Sequence, residues 1–162
     1  MLRRTLVMVV LAAALPAAGF AATAVATSVG PRVGFSVDPN QMVLGGHLMI
    51  GGVAPDVTFD PNLELGFGDN ATVIAVNFDL HYHFDIQNSS WRPYVGAGVG
   101  ANFIELDSPG PFKDASSTEV GGNIIFGAGV PTRAGSHFFT EARFGLGDIP
   151  NFKVMAGWNF NL

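Results

Sequence analysis

Between Val73 and Phe84 nearly every second residue is large and apolar. Ile74, Val76, Phe78, Leu80, Tyr82 and Phe84 fall on one side, and Ala75, Asn77, Asp79, His81 and His83 on the other. A period of two is the side-chain spacing of a β-strand and is incompatible with a helix. The same alternation recurs at Phe59–Phe67, Trp91–Phe103, Glu119–Val130, Glu141–Leu146 and Phe152–Leu162, and more weakly at Val29–Val37 and Met42–Ile50. Turn-forming residues separate the runs at 38–41, 51–56, 68–70, 85–90, 107–117, 131–136 and 147–151. Seven connections join eight strands, and no helical run of useful length interrupts them.

In a soluble sandwich the polar face is charged and wet. Here charged residues are only 13% of the chain, about half the ~25% of ordinary soluble domains. The polar face has few lysines, Lys113 and Lys153, and is rich in Gly, Asn and His. The apolar face is continuous and aromatic, in a chain that has 14 phenylalanines in all. That combination predicts an all-β, eight-stranded, antiparallel up-and-down transmembrane β-barrel, with its apolar face in lipid and its polar face packed inside. Closure also satisfies every strand amide, as lipid demands. The competing architecture inverts the faces: a soluble periplasmic β-barrel binding a small apolar ligand. A net charge of −5 argues against nucleic acid as a partner. The absence of cysteine removes disulfide and thiolate chemistry. An aromatic content of 11% excludes intrinsic disorder.

The N-terminus reads as a separate element. Arg3 and Arg4 precede an apolar run at residues 6–15, Pro16 and small residues including Ala22-Thr23-Ala24 and Ala24-Val25-Ala26. This is the layout of a secretory signal peptide, too short to span a bilayer. The expected division is a cleaved leader over residues 1–26 and a barrel domain over residues 27–162.

The run Trp91-Arg92-Pro93-Tyr94-Val95-Gly96-Ala97-Gly98-Val99-Gly100 resembles a strand common in small outer-membrane barrels. The C-terminal alternation ending Trp158-Asn159-Phe160-Asn161-Leu162 is similar to the signal read by the barrel-assembly machinery, although that signal usually ends in an aromatic residue. Together they resemble the OmpA/OmpX/OmpW-like family of outer-membrane β-barrels. The resemblance implies a location in the cell outer membrane of a Gram-negative envelope. It also implies a monomer with lipid and lipopolysaccharide as surroundings, and the assembly machinery as a partner during biogenesis. It implies a porin-like architecture and no particular activity.

With both termini in the periplasm, the odd-numbered connections face outward, including the longest, at 107–117. These connections carry Asp38, Asp69, Asp107, Asp114 and Asp148. Such acids can share divalent cations with outer-leaflet phosphates, but Asp is also an ordinary turn residue, which accounts for their positions unaided.

The inward charges form the candidate site. Glu141 and Arg143 are two apart on one strand and point the same way. With Arg32, Asp60, Glu64, Asp79, Arg92, Glu119 and Lys153 they are expected to form an interior polar network. An eight-stranded barrel is just wide enough for side chains to fill it, so this network predicts a plug rather than a conducting pore. Inner-face glycines leave room for large neighbours such as Tyr94 and Arg92. His81 and His83 share a face, with His47 two strands away. Without a third placed ligand they are expected to serve in interior hydrogen bonds rather than hold a metal. No cofactor is implied. The serines lie almost all in turns, Ser136 and the adjacent His137 face opposite ways, and no nucleophile elbow, phosphate loop or zinc signature occurs. Catalysis is not expected, and the predicted role is structural, in the envelope or in interactions.

Overall fold

The computed structural model describes residues 25–37, 39–68, 71–106, 116–132 and 135–162. The expected leader falls outside them except for Val25 and Ala26, which pair with Gly51 and Ile50. Asp38, Asp69, Asp107, Lys113 and Asp114 also lie outside the described residues.

Eight strands run in chain order: β1 (Val25–Val37), β2 (Gln41–Ala54), β3 (Val57–Gly68), β4 (Ala71–His83), β5 (Arg92–Leu106), β6 (Ser116–Pro131), β7 (Ser136–Gly147) and β8 (Phe152–Asn161). Each pairs antiparallel with its neighbours, and β1 pairs with β8, closing the barrel. The shortest strand, β8, has 10 residues, enough for a tilted strand to cross a hydrocarbon core, which needs roughly 9–11.

The segment 51–56 differs from the sequence expectation of a broad turn. β2 continues to Ala54, and β3 resumes at Val57 after Pro55 and Asp56. The pairing shifts register between Ile50 and Ala54, with Gly52 at φ 79°. The glycines there permit a bulged ladder instead of ending it.

The alternation sorts the faces as the lipid-facing barrel requires. Along β4, Ala71, Val73, Ala75, Asn77, Asp79 and His81 are buried, and the residues between them are half-buried or exposed. Many large apolar residues are exposed, including Val99, Val120 and Phe126. The fully buried side chains include Arg143, Glu64, Asp79, Asn77 and Asn102. The soluble alternative needed an apolar lining for its ligand. The described interior is charged and amide-rich instead, so that alternative does not hold.

The termini share one end with the connections at 55–56, 84–91 and 132–135. The other, distal end carries the remaining four, including the longest at 107–115.

Candidate functional site

The middle of the barrel holds three cations and three carboxylates in mutual contact. Arg143 extends from β7. Its Nη2 donates to Asp79 Oδ2 on β4, and its Nη1 lies 3.3 Å from Glu64 Oε1 on β3 and 3.5 Å from Glu141 Oε1. Arg32 on β1 donates through Nη2 to Glu141, with its Nε 3.5 Å from Glu64 Oε1. Lys153 on β8 donates to Glu64 Oε2 at 2.8 Å. Three positive and three negative groups leave this layer neutral. That matters because burying a charge without a partner is far costlier than burying a pair.

Neutral donors complete the layer. Tyr94 on β5 donates its hydroxyl to Glu141 Oε2 at 2.8 Å. Asn62 Nδ2 donates to Asp79 Oδ2 at 2.8 Å, and Asn77 Nδ2 donates to Asn62 Oδ1 at 2.8 Å. The Arg32 guanidinium lies 5.7 Å from the centre of the Phe139 ring.

Small residues make this packing possible. A methyl group on Gly98 would fall on Asp79 Oδ1 and the Phe78 carbonyl, and one on Gly127 would fall inside the Tyr94 ring. The β5–β6 wall therefore gives up its own side chains to seat those of its neighbours.

Distally the interior is tight. Val43, Val73, Ser36 and Gln41 are buried there, Ile125 and Met155 are buried beside the charge layer, opposite Arg143 and Glu141, and Asn102 and Asn123 fill the wall between β5 and β6. Ile149, from the β7–β8 connection, is buried with its Cγ atoms over Gly121 and Gly145. At the terminal end the filling is looser. Asp60 carries no arginine. It accepts from Thr58 Oγ1 at 2.6 Å and sits 3.3 Å from His81 Nδ1. His81 stacks on Tyr94 with ring centroids 4.8 Å apart. His47 meets Asn159 Oδ1 through Nε2 and the edge of Phe139. These groups, with His83, Arg92 and His137, line a cavity of about 120 Å³ open at the terminal end.

Of the residues expected inside, Arg32, Glu64, Asp79, Glu141, Arg143 and Lys153 come together in the central layer, and Asp60 and His81 lie just below it. His83 is half-buried at the mouth, with Nε2 3.0 Å from Thr58 Oγ1. Arg92 departs from the expected network. It is the first residue of β5 and ion-pairs at 2.9 Å with Asp85, in a contact exposed to solvent. Glu119 also departs from it: it is half-buried near the distal start of β6, opposite Asn102. Both residues have the inward parity, but strand position puts them beyond the reach of the central layer. Tyr94, Asn62 and Asn77 take part without having been expected in the network. Parity was available for all three, and Gly127 opposite Tyr94 was the clearest further signal.

Solved structures share this architecture. The N-terminal β-barrel domain of Pseudomonas aeruginosa OprF is similar over 85% of this chain and 98% of that one, with a TM-score of 0.66 and 17% identity. Neisserial surface protein A is similar over 86% of this chain and 99% of that one, with a TM-score of 0.65 and 17% identity. The chain has the fold of the eight-stranded outer-membrane β-barrels. Identity this low carries the fold alone. No family model matches the sequence, and no curated protein matches it significantly.

Proposed function

We propose that this protein is an outer-membrane barrel with a structural or interaction role in the envelope, non-enzymatic and closed to passage by its own side chains. One observation carries the reading: the inside and outside are exchanged relative to a soluble protein. Val120 is 66% exposed and Val99 59%, whereas Arg143 and Asp79 are at 1% and 0%. An apolar surface that encircles the barrel is far larger than a soluble monomer tolerates, and lipid is the solvent that removes its cost.

The outward aromatic residues support the same reading. Near the terminal end Tyr82 and Phe84 pack at 4.9 Å, and Phe138 and Trp158 at 5.0 Å between ring centroids. Near the distal end Phe144 and Phe152 pack at 5.2 Å. Aromatic rings concentrate at the two interfaces of membrane barrels. In this reading the leader over residues 1–26 directs export, the assembly machinery inserts the barrel as a monomer, and the distal connections face lipopolysaccharide.

Fractionation and gel mobility test this together. The protein is expected in the outer-membrane fraction, migrating faster on an SDS gel when unboiled than when boiled. A single unshifted band released with the soluble periplasm would overturn the proposal.

A further inference from the structure

All four histidines of the chain, His47, His81, His83 and His137, line the one terminal-end cavity described above. The central charge layer uses none of them. Among the described residues no three His, Asp or Glu side chains are placed to hold a metal ion, so metal binding does not explain the cluster. We propose that this cavity is a binding site for a phosphate-type oxyanion. The inference goes beyond the envelope role and needs from it only a folded, closed barrel.

The lining leaves donors unused while most of its carboxylate oxygens are engaged. Glu141 is occupied by Arg32, Arg143 and Tyr94. Asp60 Oδ2 is engaged by both Thr58 and His81. Among the described residues Arg92 is held only by Asp85, and exposed pairs of this kind are worth little, so the guanidinium can turn to a better partner. The His137 ring makes no hydrogen bond or ion pair with a described residue. His83 is polarised by its neighbours. Thr58 gives its hydroxyl proton to Asp60, so it can only accept from His83 Nε2–H. That leaves His83 Nδ1 bare in the neutral ring and a second donor once the ring is protonated. A planar guanidinium beside imidazole N–H donors is the chemistry that recognises a tetrahedral oxyanion.

Size and access agree. A buried water needs about 10–15 Å³ and this cavity offers about 120 Å³, so an ion of phosphate size fits with water to spare. An adjoining open space of about 210 Å³ also includes His83 and Arg92 in its lining, which places both residues on the route in. Beyond the cavity the Arg32–Glu141–Tyr94 contacts close the barrel, so an ion entering from the terminal end stays at that end.

The groups around His83 are Asp56 in the β2–β3 connection, Thr58 and Asp60 on β3, His81 on its own strand, Asp85, and Arg92 and Tyr94 on β5. His137 lines the cavity with Asn159 and Asn161 on β8 and Gly129 on β6.

The test uses the full barrel, refolded in phosphate-free detergent and checked by its gel shift. Inorganic phosphate is titrated at one fixed pH while the four histidine ring signals are followed by NMR. Saturable shifts at His83 and His137 are expected. Arg92→Gln should abolish them without altering the gel shift, and His137→Gln should weaken the His83 response. A second arm compares nanodiscs of phosphatidylcholine with nanodiscs containing phosphatidic acid. Shifts in that arm alone would assign the oxyanion to a lipid headgroup, and shifts with free phosphate to a soluble ligand. No saturable shift in either arm, or shifts that survive Arg92→Gln, would overturn the inference. Failure of the gel shift itself would count against the membrane reading instead.

Discussion

The two halves of the barrel interior are built on different principles. The distal half and the centre are packed to exclusion: Ile149 sits over Gly121 and Gly145, Ile125 and Met155 are fully buried, and every cation of the central layer faces a carboxylate. The terminal half is under-filled. Its polar groups line a cavity, and its carboxylate Asp60 is held by a hydroxyl and an imidazole rather than an arginine. Both halves share the same strands and the same alternation. The difference lies in what the wall leaves out. Glycines at 98 and 127 admit large side chains toward the centre, whereas toward the termini Gly129 has no heavy atom closer than the Phe138 carbonyl, 3.7 Å from an added methyl. One closed sheet can therefore be a plug along most of its length and a receptacle at one end.

The largest effect should come from the packed half. Arg143→Met leaves Asp79, Glu64 and Glu141 short of a cation, and breaking a buried pair costs about 3–5 kcal/mol. Urea unfolding of the refolded barrel should show that loss. A loss under about 1 kcal/mol would mean that the layer is wet and the contrast between halves is false. Phe78→Lys attacks the lipid face instead. It should cost about 2–4 kcal/mol if Phe78 sits at mid-bilayer, and almost nothing if that face meets water.

Gly98→Ala comes next. Its methyl would press on Asp79 Oδ1 and the Phe78 carbonyl, and such overpacking costs about 1–3 kcal/mol. Gly129→Ala meets no close contact, so the pair of variants reads the difference between the halves directly. Arg92→Gln should be smallest, within about 0.5 kcal/mol, because its pair with Asp85 is exposed. In planar bilayers the parent protein should show no steady conductance. A stable open level would refute the plug.

The fold was legible because one periodicity carries it. Once Ile74 to Phe84 alternate and seven turn clusters separate eight such runs, closure follows from the need to satisfy strand amides in lipid. Inward parity for Glu141, Arg143 and Lys153 was legible by the same rule. Their partners were not. Arg32 meets Glu141 across 109 residues and Lys153 meets Glu64 across 89, contacts set by strand tilt and stagger around the barrel, which alternation does not encode. The same gap explains Arg92 and Glu119: parity gives the face of a residue but not its height. It also hid the gathering of the four histidines, which stand on β2, β4 and β7 and come together only through the stagger.

The central claim is that the apolar face meets lipid and the polar face meets only protein. The chain has no cysteine, so single cysteines carrying spin labels can be placed at 97, 99 and 101 and compared with 98 and 100. In reconstituted membranes the odd positions should be accessible to oxygen and shielded from a water-soluble relaxation agent. The even positions should be shielded from both or fail to fold. Labels at the odd positions that respond to the water-soluble agent would contradict the account.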